Sequence, residues 1–199
     1  MRSVRFLVVC SAVLLLGGSV ICPAHAQGLP AVETFESRPE GYLDAQGDWS
    51  GLPEARVQVQ TATVHGGSKA GVVATNSIAT LSTADTSATN VWIDFHFRTQ
   101  PRAVGRIPSL SPDAVAGFYI NGSGAVVARS NATWVTLPAF SVADDAWYRF
   151  SVNLDYTARR WALYVADNTP NKLATPLATN LAFTASATNT YFHAFRIKN

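Results

Sequence analysis

The strongest constraint in this sequence is the strict alternation of Val91-Trp92-Ile93-Asp94-Phe95-His96-Phe97-Arg98. Successive side chains of an extended chain point to opposite faces. Val91, Ile93, Phe95 and Phe97 therefore share one face, and Trp92, Asp94, His96 and Arg98 share the other. The segment Tyr148-Arg149-Phe150-Ser151-Val152-Asn153-Leu154-Asp155 alternates in the same way. Trp161-Ala162-Leu163-Tyr164-Val165 follows after the turn Asp155-Tyr156-Thr157-Ala158-Arg159, which predicts a hairpin. Further strands are predicted at 57–64, 70–75, 117–121, 124–129 and 191–197, with a turn at Asn121-Gly122-Ser123-Gly124. Pro101, Pro108 and Pro112 make 101–116 a long loop or an edge excursion, because proline cannot donate to a ladder. Short strands joined by turns, with almost no helical periodicity, predict an all-β fold: an antiparallel sandwich or barrel.

The first 26 residues are a separate object. Arg2 and Arg5 lead into an apolar run from Phe6 to Cys22, and Pro23-Ala24-His25-Ala26 follows. A basic start, an apolar stretch and a small-x-small ending describe a secretory signal peptide, with cleavage expected after Ala26. The run is short for a membrane span and is interrupted by Gly17-Gly18. Cys22 follows Val20-Ile21, which is unlike the small residue that precedes an acylated cysteine. The expected products are a signal peptide over 1–26 and one domain over 27–199, where no composition shift, repeat or linker divides the chain.

Composition matters once that leader is set aside. Arg2 and Arg5 account for the whole excess of 15 basic over 13 acidic residues, so the mature chain is formally neutral. Both cysteines, Cys10 and Cys22, also lie in the leader. Disulfides, thiolate metal sites and cysteine nucleophiles are thereby excluded from the mature domain. Charged residues are 14% of the chain, which argues against disorder and against a nucleic-acid-binding surface. Electrostatic capture of nucleic acid or anionic lipid is not expected.

A family resemblance rests on a series of short motifs. Val32-Glu33-Thr34-Phe35-Glu36 leads to Gly41-Tyr42, Gly47-Asp48-Trp49 and Val64-His65-Gly66-Gly67-Ser68-Lys69-Ala70. The strand 91–98, Trp147-Tyr148-Arg149-Phe150 with Asp155-Tyr156, and a closing Phe195-Arg196-Ile197 complete the series. In this order they resemble secreted bacterial domains of the concanavalin A-like lectin/glucanase superfamily, laminin-G-like jelly-roll type. The resemblance implies two stacked antiparallel sheets, a concave face often used for glycans, and pairing of the first and last strands. It also implies a structural calcium held by an N-terminal acidic residue, a role that Glu36 matches. The acidic residue expected near the last strand is replaced here by His193-Ala194.

The catalytic signatures of that superfamily are missing. Its glucanases carry Glu-x-Asp-x-x-Glu, and its polysaccharide lyases carry Gln-x-His; neither occurs in this sequence. Glycoside hydrolysis needs two carboxyl groups at about 5 Å or about 6.5–9.5 Å. Glu33 and Glu36 are three apart and would diverge on a strand, and Asp144-Asp145 read as an exposed turn. No Gly-x-Ser-x-Gly elbow and no histidine pair at zinc spacing is present. His65 reads as a turn residue beside Gly66-Gly67, and His193 as a hydrogen-bonded core histidine.

The candidate ligand-binding residues are Trp92, Asp94, His96 and Arg98. An aromatic platform for the apolar face of a sugar stands there beside polar groups for its hydroxyls. The same four residues are also consistent with a merely solvated sheet face. The expected function is non-catalytic recognition of a polysaccharide or surface glycan by a secreted, periplasmic or cell-surface protein. A structural or protein-interaction module of the cell envelope is the alternative, and a hydrolase or lyase with an unfamiliar site is the third. Expected partners are carbohydrate or an envelope protein, with no nucleic acid and no membrane insertion after cleavage. No cofactor beyond the structural calcium is expected.

Overall fold

The alternating segments form strands in the computed structural model, which describes residues 3–8, 32–83, 87–99, 107–167, 169 and 173–199. In chain order the first seven strands are β1 (Ser3–Val8), β2 (Gly41–Tyr42), β3 (Trp49–Leu52), β4 (Val57–Gln60), β5 (Ala70–Ala74), β6 (Ile78–Ser82) and β7 (Asn90–Arg98). The others are β8 (Phe118–Ile120), β9 (Ala125–Ser130), β10 (Thr133–Ser141), β11 (Trp147–Asp155), β12 (Arg160–Asp167), β13 (Thr175–Ala182) and β14 (Ala194–Lys198). A 3-10 turn, Glu54–Arg56, joins β3 to β4. The fold is all-β with several antiparallel sheets. No helix among the described residues is long and apolar enough to cross a membrane.

The chain forms two compact units, and β7 contributes to both. Residues 1–88, 94–96 and 192–199 make the first unit; residues 89–93 and 97–191 make the second.

In the first unit β2, β4, β5 and β1 follow one another as ladder neighbours, and β3, β6 and β14 form a separate three-stranded sheet. Val57 and Val59 of β4 are buried while Gln58 and Gln60 are not, the alternation expected of a strand with one wet face. β4 stops at Gln60, short of the predicted 64, because that side chain closes a turn. Its Nε2 donates to the Thr63 carbonyl at 2.6 Å, and its Oε1 accepts the Thr63 N–H at 2.9 Å. Phe35 is fully buried, with its ring 5.6 Å from that of Trp49 on β3. Gly71 of β5 lies on the same ring, and a Cβ there would sit 2.9 Å from Phe35 Cζ. The core of this unit thus joins β3 to β5 through one phenylalanine.

The last strand pairs with β6 (Phe195 opposite Leu81), not with the first strand as the resemblance implies. β14 begins at Ala194, later than the predicted 191. β1 lies within the expected leader and pairs antiparallel with β5, with Val4 opposite Val73 and Phe6 opposite Gly71. The expected cleavage junction at Ala26 lies outside the described residues.

In the second unit β7, β11, β12 and β13 are successive neighbours, and β8, β9 and β10 form a three-stranded sheet. The predicted hairpin is β11–β12, with Phe150 opposite Val165 and Asp155 opposite Arg160. Asp155 Oδ1 caps its turn by accepting the Ala158 N–H at 2.8 Å. Phe150, fully buried, meets Phe118 of β8 at 5.1 Å and Phe97 of β7 at 4.9 Å. Burying each such side chain contributes roughly 1.5–3 kcal/mol. Trp161 of β12 donates its indole N–H to the Arg129 carbonyl of β9 at 3.0 Å. The predicted turn at Asn121 is formed, with Oδ1 accepting the N–H groups of Ser123 and Ala125, both at 3.0 Å.

Candidate functional site

The face of β7 opposite its buried phenylalanines begins at Asn90 and Trp92. Burial of Val91 and Ile93 fixes that orientation, so the indole of Trp92 faces outward and is 53% exposed. An exposed tryptophan keeps a large apolar face available to a ligand. Its ring lies 5.4 Å from that of Tyr164, tilted by 40°. Tyr164 belongs to β12 and stands directly opposite Ser151 of β11. β11 runs between β7 and β12, so the small Ser151 side chain leaves room for the two rings to meet across it. Two residues along β11, on the same face, Asn153 donates from Nδ2 to Asn90 Oδ1 at 2.8 Å and to the Val91 carbonyl at 3.5 Å. An aromatic pair flanked by two side-chain amides therefore lies on one face of the second unit.

The four residues expected to share one open face have different surroundings. Trp92 is open. Asp94 is only 8% exposed, which leaves its carboxylate little surface for a ligand. His96 is half-buried and stacks on His65, with ring centroids 3.9 Å apart and planes 22° apart. Arg98 is engaged by Asp145: Nε donates to the Asp145 carbonyl at 2.6 Å, and Nη2 lies 2.8 Å from Oδ1. The Asp145 N–H in turn donates to the Thr99 carbonyl at 3.2 Å, so this pair fastens the end of β7 to the turn before β11. Asp94 and His96 belong to the first unit, Trp92 and Arg98 to the second. The period of two assigns side chains to a face, but it does not say what covers that face.

Tyr164, Asn153 and Asn90 were not singled out by the sequence. Tyr164 lies in the hairpin strand and has the period-two pattern of its neighbours, so its partner Trp92, 72 residues away, leaves no local signal. His65 reads as a turn residue but stacks on His96, which spacing could not foretell. Trp49 is buried, and its indole N–H donates to Glu33 Oε2 at 3.0 Å.

Glu36, the residue matched to a calcium ligand, is engaged by N–H and O–H donors. Its Oε1 accepts the backbone N–H groups of Ser68 (2.9 Å) and Lys69 (3.0 Å), and its Oε2 accepts the Ser68 hydroxyl at 2.5 Å. These bonds, the Ser68 hydroxyl foremost, lower the Glu36 pKa below its ordinary value. The Lys69 ammonium also reaches the carbonyls of Glu36 (3.1 Å) and Arg38 (2.6 Å). Gly67, at φ +70°, keeps the carboxylate's space clear of a Cβ. Through these bonds the Glu36 carboxylate clamps the loop at Ser68 and Lys69. No cluster of three or more His, Cys, Asp or Glu able to hold a metal is found among the described residues. Glu33 is buried and has its own set of donors, so the two glutamates do not share a site.

Comparison with protein-family models, curated proteins and solved structures found no match for this chain.

Proposed function

We propose that this protein is an exported, non-catalytic recognition module that binds a polysaccharide or surface glycan through the Trp92–Tyr164 face. The observation that carries this reading is the outward Trp92 ring held against Tyr164, with the Asn90–Asn153 amide pair beside it. An indole accepts the apolar C–H face of a sugar ring, and neighbouring amides can donate to and accept from its hydroxyls. The site is narrower than the sequence alone suggests. Trp92 is its centre, and Arg98 orients the end of the strand. The missing Glu-x-Asp-x-x-Glu and Gln-x-His signatures favour binding without catalysis. The finer fold in this reading is a concanavalin A-like jelly-roll sandwich over residues 27–199. Its support is the all-β architecture together with the motif series. The apolar leader with Arg2 and Arg5 supports export to the periplasm, the cell surface or the medium.

The test is a pull-down of the protein by a panel of insoluble polysaccharides, with Trp92→Ala alongside and soluble sugar ends assayed. Retention that drops in Trp92→Ala without sugar release is expected. Retention by none, with co-purification of an envelope protein, would favour the interaction-module reading. Release of reducing or unsaturated ends would make the protein an enzyme.

A further inference from the structure

A separate site, a concave one, lies in the second unit, on the three-stranded sheet. It is a cleft of about 290 Å³ between the loop 108–112, the strands β9 and β10, and the residues after β13. The loop is fastened at several points. The Ala114 N–H donates to the Ser111 carbonyl at 3.0 Å, and Asn189 Nδ2 donates to the Asp113 carbonyl at 2.9 Å. Thr184 N–H donates to the Val115 carbonyl at 2.8 Å. The Ser111 hydroxyl donates to Asp113 Oδ1.

Among the described residues that line this cleft, Arg129 is the one that is charged. It stands opposite Trp134 in the β9–β10 ladder, and its guanidinium carbon lies 5.3 Å above the Trp134 ring centre. Tyr119 packs its edge on the same indole at 5.0 Å, which fixes the ring. Arg129 Nε donates to the Asn131 carbonyl at 3.1 Å. The guanidinium is thus oriented by a hydrogen bond and a cation–π contact. Arg129 forms no ion pair among the described residues. The remaining cleft polarity is hydroxyl: Ser109, Ser111, Thr184 and Ser186.

We propose that this cleft is a binding site for a single carboxylate-bearing sugar unit, a uronic acid residue. The two terminal nitrogens of Arg129 form a planar fork that matches the two oxygens of a carboxylate. Serine and threonine hydroxyls match the ring hydroxyls. A volume at the lower end of ligand pockets suits one ring and not a longer segment. The choice of a sugar over another small carboxylate rests on the carbohydrate reading; the anion itself is assigned by Arg129 alone.

The test is calorimetric titration of the full exported chain with a uronic acid oligosaccharide, its methyl ester, a sulfated oligosaccharide that lacks carboxylates and a simple dicarboxylate. Wild type, Arg129→Gln, Arg129→Lys and Trp92→Ala are compared, each with a melting curve. The free acid is expected to bind, and to weaken at least about tenfold as the methyl ester or in Arg129→Gln, the loss typical of a charge-assisted bond. Arg129→Lys keeps the charge and loses the fork, and is expected to lie between them. Trp92→Ala is expected to leave this affinity unchanged. Equal binding of acid and ester, no effect of Arg129→Gln at unchanged melting temperature, or no binding to wild type would overturn the proposal. Tighter binding of the sulfated sugar would overturn the carboxylate, and equal binding of the dicarboxylate would overturn the sugar. Glycan retention that is unchanged in Trp92→Ala, or absent in wild type, with uronate binding at Arg129 retained, would sink the first reading and leave this one standing.

Discussion

The indole N–H of Trp49 donates to the carboxylate of Glu33 at 3.0 Å. The same carboxylate accepts the Phe35 N–H at 2.7 Å and two bonds from Arg38, at 3.0 and 2.7 Å. Phe35 sits at φ +64°, a backbone state costly for a bulky residue, and Glu33 is positioned to hold it there. Glu33→Ala leaves four N–H donors, on three residues, without their acceptor. A loss of about 3 kcal/mol is expected, at the lower end for a broken buried pair because Arg38 retains some contact with water. A urea midpoint unchanged from wild type would show that the corner carries no stability.

Glu36 gives a pH signature. Its pKa in the folded chain is lowered, so the unfolded chain binds more protons at acid pH. The stability contributed by the Ser68–Lys69 clamp is therefore present above about 4.5, the ordinary value, and is lost as pH falls through the folded pKa. Melting temperatures of wild type and Glu36→Gln are expected to differ near neutrality and to converge below that range. A constant difference across pH 3 to 7 would contradict the assignment.

Gly71→Ala tests the phenylalanine that joins β3 and β5. Its Cβ would meet Phe35 Cζ at 2.9 Å, and the Phe35 ring is fully buried. Overpacking of this kind costs about 1–3 kcal/mol. A thermal shift of that sign is expected, and an unchanged melting temperature would mean that the ring moves aside freely.

Export predicts a mature chain that starts at Gln27. Such a chain lacks Ser3–Val8, the strand that pairs with β5. Intact mass of protein recovered from the periplasm or medium is expected to match residues 27–199. A mass that retains Met1 would refute leader cleavage, and would make β1 a permanent member of the ladder.

The sequence discloses strands where one face is apolar and the other polar. β7 and β11 begin and end within a residue of their predicted limits, since their phenylalanines and valines alternate without a break. β10 and β13 were missed. Each contains a proline and has few inward apolar residues, as Pro138 and Pro176 illustrate. Their ladders are also irregular, with register shifts between Leu137 and Ser141 and around Leu163. For the candidate site, Trp92 was legible because its neighbours' burial forces it outward. Tyr164, Asn153 and the fate of Asp94 were not, because strand order decides which residues meet across a sheet.

The most direct measurement for the account is the dissociation constant of wild type and Trp92→Ala for the soluble fragment of whichever polysaccharide retains the protein, with both melting temperatures recorded. Trp92 is exposed, so the substitution is expected to leave the fold intact and to weaken binding at least about tenfold, as for a tryptophan at the centre of a binding surface. Equal affinities in the two proteins would contradict the assignment of the Trp92–Tyr164 face.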